Sequence, residues 1–199
     1  NGTVDPILFT YLRTNYSDEK YNSHPVNFWG DLYGQSPLFR SRYNSFKNYA
    51  KITQNNFLSP EELKNSRKLT FNYDKTVYIE NLGNGKFELH ELPLEVQIAP
   101  INSLVINDFN EDGYKDLLLV GNNFGNEVFI GRYDAFNGGL LENDGNGGFK
   151  FIQTEDSGFI VEGDAKSILR VENTSGENPY YVVTQNRGPL KIFQRKIIK

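Results

Sequence analysis

The sequence contains no cysteine, no methionine and only two histidines. Without cysteine the chain has no disulfides, no thiol nucleophile and no Cys-ligated zinc, and its redox compartment stays undetermined. His24 and His90 are therefore the only candidates for a histidine base or an imidazole metal ligand. No apolar run reaches 18 residues, so no membrane span is expected.

The charge of the chain is weakly acidic and evenly spread. It has 21 Lys and Arg against 25 Asp and Glu, a formal net charge of −4, and no basic cluster. A nucleic-acid partner is therefore not expected. Hydrophobic residues at 38% and aromatic residues at 14% argue against an intrinsically disordered chain.

Asparagine and glycine are abundant, with 24 Asn and 18 Gly in 199 residues. Both residues supply the positive φ angles that tight turns need. Between these turns lie short runs rich in Val, Ile, Tyr and Phe, which predict strands. The runs are Pro6–Leu12, Leu69–Glu80, Lys86–Leu92, Leu117–Gly121, Glu127–Ile130, Phe149–Gln153, Ile168–Glu172, Tyr180–Thr184 and Leu190–Arg195. Their spacing favours an all-β sandwich, barrel or propeller.

The segment from about residue 31 to 66 breaks this strand rhythm. Ser36-Pro37 predicts a helix N-cap followed by proline at the first helical position. The spacing after it predicts a helix, and Ser59–Glu62 forms a capping box for a second, shorter helix. The apolar residues at helical spacing are Leu38, Phe39, Tyr43, Phe46 and Ala50. We expect a helical insertion packed on one side of the β structure, with a partner-binding helix as the alternative.

Two segments 62 residues apart repeat one pattern. Tyr78–Phe87 and Leu140–Phe149 share apolar-apolar-Glu-Asn-x-Gly-Asn-Gly-x-Phe. This pattern predicts a strand, a tight turn that Gly and Asn tolerate, and a returning strand. We call these segments the first and the second Asn-Gly hairpin.

An acidic loop, Asp108–Asp116, lies between the two hairpins and reads Asp-Phe-Asn-Glu-Asp-Gly-Tyr-Lys-Asp. Oxygen side chains at positions 1, 3, 5 and 9 and glycine at position 6 are the pattern of a loop that folds around a hard cation. Carboxylates without His or Cys select Ca²⁺ over zinc or copper. The predicted ligands are the side chains of Asp108, Asn110, Asp112 and Asp116 and the backbone carbonyl of Tyr114.

The acidic loop differs from an EF-hand. Position 12 is Leu119 where an EF-hand has a bidentate Glu, and the flanking runs are apolar strands in place of helices. Magnesium is disfavoured because it rarely occupies a cage made only of protein ligands. The alternative is an acidic solvated turn whose carboxylates cap strands.

Two further segments resemble this loop. Asn1–Asp5 aligns with Asp112–Asp116, which suggests that the chain begins inside a second calcium loop, with an ordinary Asn-Gly turn as the alternative. In a third loop, Glu172, Thr174, Gly176 and Tyr180 occupy positions 1, 3, 5 and 9. Positions 5 and 9 lack the carboxylates that the acidic loop has there, so no metal is expected in this third loop.

The loop and the hairpins resemble the FG-GAP/VCBS repeats of integrin-like β-propellers, in which a D-x-[DN]-x-D-G-x-x-D loop joins two strands of a blade and binds Ca²⁺. Further stretches are similar to the C-terminal part of bacterial VCBS-repeat proteins related to the cartilage acidic protein family. These stretches are 92–100, 131–135, 157–164, 35–37 and 49–50. The resemblance covers nearly the whole chain.

The resemblance implies a mainly β fold with two to three propeller blades of antiparallel strands and a helical insertion. It implies a C-terminal propeller fragment of a longer chain, with a first blade at about 1–100, a calcium-loop blade at 101–160 and a last blade at 161–199. It also implies Ca²⁺ ligation by the acidic loop, no catalysis, export to the cell surface, periplasm or medium, and remaining blades as partners. The expected function is that of a binding or scaffold module.

Two other functions stay open. Glycan binding or adhesion could use the loop aromatics Trp29, Tyr33, Phe124, Tyr133 and Phe136, and a protein ligand is equally compatible. A polysaccharide-active enzyme needs only a pair of carboxylates. Candidates for such a pair are Asp134, Glu142, Asp156 and Asp164, but no spacing singles out two of them.

Overall fold

The computed structural model describes residues 6–13, 15, 17 and 19–196. The protein is mainly β, with 34% of residues in strands and 15% in helices, and its strands pair in antiparallel sheets. This confirms the predicted strand-and-turn class. The chain forms two compact units, 1–71 and 72–199, which are described in turn.

The first unit combines one β-hairpin with four short helices. Strands β1 and β2 pair antiparallel, with Phe9 opposite Pro25 and Arg13 opposite Tyr21. The elements are β1 (Phe9–Arg13), β2 (Tyr21–Pro25), α1 (Trp29–Gln35), α2 (Pro37–Arg42), α3 (Phe46–Tyr49) and α4 (Pro60–Lys64). Helices therefore occupy the segment that the sequence assigned to a helical insertion, beginning two residues earlier than predicted.

Side-chain caps define where these helices begin. The Ser36 hydroxyl accepts a hydrogen bond from the Leu38 amide, with proline at the first helical position as predicted. The capping box of α4 is also confirmed, since Ser59 and Glu62 each accept a hydrogen bond from the other's backbone amide. The single helix predicted across Leu38–Ala50 is wrong. It divides into α2 and α3 because Ser45 caps a new helix by accepting from the Asn48 amide.

The first unit has its own aromatic core. Leu32, Tyr43, Ile52 and Phe57 are buried, and the ring of Phe9 meets that of Phe57 edge-on at 5.4 Å between centroids. Because Phe9 lies on β1 and the other residues lie on or between the helices, the helices pack on this hairpin.

The second unit contains three antiparallel sheets. A two-stranded sheet pairs β3 with β4, a four-stranded sheet has the order β5-β6-β7-β8, and a three-stranded sheet has the order β11-β10-β9. The strands are β3 (Val77–Gly83), β4 (Lys86–Glu91), β5 (Ile101–Asn107), β6 (Asp116–Gly121), β7 (Gly139–Asn143), β8 (Phe149–Ile152), β9 (Ala165–Val171), β10 (Tyr180–Gln185) and β11 (Lys191–Gln194). A 3-10 helix at Leu94–Val96 and a short helix α5 at Thr154–Ser157 complete the unit.

Most predicted strands of this unit are present with shifted ends, although only the last four residues of the predicted run Leu69–Glu80 lie in a strand, β3. The exception is Glu127–Ile130, which forms a turn, with Ile130 donating to the Glu127 carbonyl. Val128 is almost completely exposed, and Phe129 and Ile130 are about half exposed, so this segment is not a buried strand of the core. Strand β5 is absent from the predicted strand runs, and so is β2 in the first unit.

The four-stranded sheet carries a core on each face. One core contains Leu118 and Val120 of β6 together with Ile168 and Tyr181 of the three-stranded sheet. The other contains Leu119 and Leu141 together with side chains from the 92–99 connection and Phe136. Neighbouring residues of β6 point to opposite faces, as they must in a strand, and both sets are apolar because both faces are covered.

The two Asn-Gly hairpins have the same strand register and begin their turns in the same way. The Asn81 side chain accepts a hydrogen bond from the Gly83 amide at 2.9 Å, and Asn143 accepts from Gly145 at the same distance. Glycines 83, 85, 145 and 147 all have positive φ angles, which explains why the turns select glycine. The repeat predicted from sequence is therefore a repeat of backbone structure.

Candidate metal centre

The acidic loop connects β5 to β6, whose last and first residues, Asn107 and Asp116, pair directly. It turns sharply where Glu111 and Gly113 have φ angles of 63° and 94°. Glycine adopts such an angle without strain, so position 6 of the loop allows the chain to fold back. The predicted loop between two strands is therefore present.

Three predicted ligands organise the loop through hydrogen bonds. The carboxylate of Asp108 accepts from the Asp112 amide at 3.1 Å and from the Gly113 amide at 3.0 Å. Asn110 also accepts from the Asp112 amide at 3.1 Å, and its side-chain amide donates to the Asp112 carboxylate at 2.8 Å. The Asp112 carboxylate accepts from the Tyr114 amide at 2.8 Å. These hydrogen bonds tie the three side chains to one another and to the backbone within one loop.

Asp116 is completely buried and links the loop to a neighbouring strand. One carboxylate oxygen accepts from the Phe109 amide at 2.7 Å, and the other accepts from the Asn143 amide at 3.0 Å. The Asn143 side chain in turn donates to the Lys115 carbonyl at 3.2 Å. The acidic loop and the second Asn-Gly hairpin are thus one hydrogen-bonded structure.

Tyr114, which would supply a backbone carbonyl, places its half-exposed ring over the turn of the second hairpin. A Cβ atom built on Gly145 would lie only 2.6 Å from this ring. The close approach requires glycine at that turn position, in addition to its φ angle of 75°.

The other side of the loop contacts the three-stranded sheet. The rings of Phe109 and Tyr181 lie 5.2 Å apart, and the Asn107 side chain donates to the Tyr181 hydroxyl at 3.0 Å. Glu111 forms an ion pair with Arg195 at 2.6 Å. The loop is therefore attached to sheets on both sides, which limits how far its ligands can move apart.

The donor chemistry fits a hard cation, although the carboxylates are not yet gathered around a point. Among the described residues, one group of three Asp, Glu or His side chains has ligand atoms within 4.8 Å of one another. That group is Glu80, Glu88 and His90, and it does not include the aspartates of the acidic loop. A carboxylate that accepts amide hydrogen bonds keeps further lone pairs for a metal. Binding one cation through all of these side chains would therefore require side-chain rotations within the loop.

Of the two other segments that resemble the acidic loop, one lies outside the described residues and the other lies within them. Asn1–Asp5 lies outside the described residues, so the second calcium loop stays a prediction. In the third loop the Asn173 side chain accepts from the Ser175 amide at 3.0 Å, and Gly176 has a φ angle of 77°. That segment is a tight turn between β9 and β10.

The aromatic residues considered for glycan binding divide between the two units, and one of them is buried. Trp29 and Tyr33 pack together in the first unit at 5.1 Å between centroids, and the Trp29 indole donates to the Tyr43 carbonyl. In the second unit Phe136 is 2% exposed and belongs to a core, whereas Tyr133 is exposed.

Asp164, one carboxylate considered for catalysis, is buried and paired. It lies 2.5 Å from the Lys166 ammonium, and the Asn186 side chain donates to it at 3.1 Å. Desolvation opposes its ionisation, but these two partners outweigh that effect and hold the pKa of Asp164 below its usual range. These contacts give the Asp164 carboxylate a structural role.

The two histidines have different surroundings. His24 lies on β2 opposite Thr10 of β1. His90 lies beside Glu80 and Glu88 on the first Asn-Gly hairpin, and these three residues are the group with ligand atoms within 4.8 Å. The sequence analysis missed this group, which strand alternation and the hairpin register could have identified.

No protein-family model, curated protein or solved structure matches the chain. Within the described part of the chain, the longest helix is α1 with seven residues, and none is both long and apolar enough to cross a bilayer.

Proposed function

We propose that the protein is a calcium-binding segment of blade-like β repeats that serves as a binding or scaffold module in an exported protein. The observation that carries the proposal is the acidic loop, in which four oxygen-bearing side chains and a turn glycine lie between paired strands. Its buried Asp116 joins the loop to the next pair of strands.

Calcium in this loop would contribute folding energy. Asp108, Asp112 and Asp116 bring three negative charges into one nine-residue loop, and a divalent cation offsets their repulsion. The ion would hold the loop in the conformation that contacts the sheets on both sides. Because metal binding by the folded state stabilises that state, removal of calcium should lower the melting temperature.

The repeat-blade part of the proposal rests on the layered sheets. The four-stranded sheet is a simple antiparallel meander, and the three-stranded sheet packs on one of its faces. The equivalent hairpins at a 62-residue offset indicate that similar β units recur along the chain. Such an arrangement suits successive propeller blades, each burying one face of its neighbour.

Export is proposed because calcium loops of extracellular modules bind with dissociation constants on the order of 10⁻⁴–10⁻³ M, which suit extracellular calcium. The absence of cysteine is compatible with this location. The partner class is a glycan or protein ligand. The proposal includes no catalytic role, because no spacing singles out a pair among the candidate carboxylates and Asp164 is engaged in structural contacts.

The test is a calcium titration of the full chain by calorimetry, combined with melting curves in calcium and in EDTA. We expect one bound calcium and a higher melting temperature in calcium. Asp112→Asn keeps an oxygen that can accept from the Tyr114 amide but removes one charge, so it should weaken calcium binding without unfolding the protein.

Glu111→Gln is the matched control, because Glu111 belongs to the same loop but occupies a non-ligand position and pairs with Arg195. Its calcium affinity should stay close to that of the unmodified protein. A melting temperature that does not depend on calcium, or equal loss of binding in both variants, would contradict the proposed site.

A further inference from the structure

The first Asn-Gly hairpin places three metal-ligating side chains on one face. Its register sets Glu80 opposite Glu88 and Tyr78 opposite His90. Because side chains alternate along a strand, residues two apart share a face, and all four side chains lie together. The turn that fixes this register has positive φ angles at Gly83, Asn84 and Gly85.

The ligand atoms of this group are close enough for one ion. One atom each from Glu80, Glu88 and His90 lies within 4.8 Å of the others, and the His90 Nε2 atom is 3.1 Å from a Glu80 oxygen. The Glu80 and His90 side chains are 45% and 29% exposed, so an ion can reach them from solvent.

The electrostatics of the pair Glu80–Glu88 favour a cation. Like charges directly opposite each other destabilise an antiparallel pair. His90 can offset at most one of the two negative charges, and only when it is protonated. A divalent cation between the carboxylates offsets both.

Tyr78 orients two of the three side chains. Its ring stacks on the His90 ring at 4.8 Å between centroids and 14° between planes, and its hydroxyl donates to a Glu80 oxygen at 3.2 Å. Tyr78 is itself held edge-on against Phe149 at 5.9 Å. Outer contacts of this kind fix the orientation of metal ligands and are typical of built sites.

The second Asn-Gly hairpin provides an internal comparison. At the same register, Glu142 lies opposite Lys150 and Leu140 lies opposite Ile152. The backbone repeat is therefore the same, but the second hairpin has lysine in place of Glu88 and isoleucine in place of His90. The hairpin architecture itself thus does not require a cluster of two carboxylates and an imidazole.

We propose that Glu80, Glu88 and His90 form a surface site for a divalent transition-metal ion, with Zn²⁺ as the best match. One imidazole nitrogen and two carboxylate oxygens are a donor set that zinc accepts, and water would complete the coordination. Imidazole is a poor ligand for calcium, so this site is chemically distinct from the acidic loop. The inference does not depend on calcium binding there.

The test is a calorimetric titration of the full chain with ZnCl₂ in excess calcium. We expect one equivalent of Zn²⁺ to bind to the unmodified protein. Glu88→Lys reproduces the residue of the second hairpin, and Glu88→Gln is a milder change of similar shape. Loss of a residue that only orients a metal ligand typically weakens metal binding by roughly tenfold or more. Each Glu88 variant changes a direct ligand, so each should weaken zinc binding by at least roughly tenfold.

His24→Ala is the matched control, because it removes the other histidine and leaves the first Asn-Gly hairpin intact. This variant should bind zinc with the affinity of the unmodified protein. Zinc should also shift the ring-proton NMR signals of His90 and leave those of His24 in place. The proposal is overturned if the unmodified protein binds no zinc, if both Glu88 variants keep full affinity, or if His24 responds in place of His90.

Discussion

At the residue scale, Asp116 shows how a predicted ligand also acts as a structural residue. Its carboxylate is fully buried and accepts two backbone amides, one from Phe109 within the loop and one from Asn143 of the adjacent strand. Buried amides without a partner are costly, so this side chain stabilises the fold before any metal is considered.

Replacing Asp116 with alanine should therefore destabilise the protein even in EDTA. Two part-buried amide donors lose their acceptor, and the loss is at most about 1–3 kcal/mol for each. Urea denaturation in EDTA measures the loss. Lys115→Ala is the control, because it removes an exposed neighbouring side chain and leaves the Lys115 carbonyl that Asn143 uses. Equal stability of the two variants would contradict the structural role.

The contact between Tyr114 and Gly145 gives a second prediction at this scale. Gly145→Ala forces a non-glycine residue to a φ angle of 75°, which costs about 1–2 kcal/mol, and also displaces the Tyr114 ring. Gly147→Ala introduces similar backbone strain at 88° with open space around the added atom. Thermal unfolding should therefore show a larger loss for Gly145→Ala, and a smaller one would contradict the contact.

At the element scale, one carboxylate joins two of the short helices in the first unit. Glu62 of α4 accepts from the Ser59 amide at 2.7 Å and from the Arg42 guanidinium of α2 at 2.8 Å. The Arg42 hydrogen bond, followed by those from Ser59, lowers the pKa of Glu62 from 4.5 to about 2. The ionised form is therefore the one that stabilises this pair of helices.

The stability contributed by Glu62 should depend on pH. Its pKa is lower in the folded protein, so the contribution is fully present above 4.5 and is lost as the pH falls toward 2. Glu62→Gln should lower the unfolding temperature of the first unit at pH 6 and have little effect near pH 2. Fluorescence of Trp29, the single tryptophan, follows this unit.

Glu61→Gln is the control for this prediction. It removes a neighbouring charge in the same helical turn and leaves both the Ser59 cap and the Arg42 pair in place. A similar pH dependence in the two variants would show that general charge, and not the specific contacts of Glu62, is responsible.

At the scale of the whole molecule, the second unit is organised by a four-stranded sheet with a core on each face. Leu119 belongs to the core shared with the 92–99 connection, whereas Ile168 and Val183 belong to the core shared with the three-stranded sheet. Ile168 and Val183 are also direct cross-strand partners. The two cores should therefore respond separately to substitution.

Double mutants can test this separation. Leu119→Ala should cost about 2–5 kcal/mol and Ile168→Val about 0.5–1.5 kcal/mol, with the two costs adding to within about 0.5 kcal/mol. Ile168→Val combined with Val183→Ala should deviate from additivity, because the two side chains are in contact. Denaturation followed by circular dichroism measures all these variants, and coupling between Leu119 and Ile168 would contradict the layered arrangement.

Much of this molecule was predictable because local features determine it. The Asn-Gly turns require positive φ angles that few residues adopt, so the hairpins could be located and matched at a 62-residue offset. Ser36 and Ser59 predicted where two helices begin, because a serine hydroxyl accepts a hydrogen bond from an otherwise unpaired amide in the helical turn that follows it. The acidic loop was identified because its donors alternate within nine residues.

Other features needed the packed structure. The apolar pattern of Glu127–Ile130 predicted a strand, but the segment forms a turn, and Phe136 proved to be a core residue. The helix predicted from Leu38 to Ala50 ended early because the local cap at Ser45 overrides the longer apolar pattern.

The sequence by itself located most of the turns and most of the strands and predicted a set of hard-cation ligands, because these patterns depend on residues close together in the chain. Only the tertiary structure decided that Asp116 is buried against Asn143 and that Glu80, Glu88 and His90 meet on one face. The physical reason is that burial and cross-strand contact depend on hairpin register and on the packing of sheets that are distant in sequence.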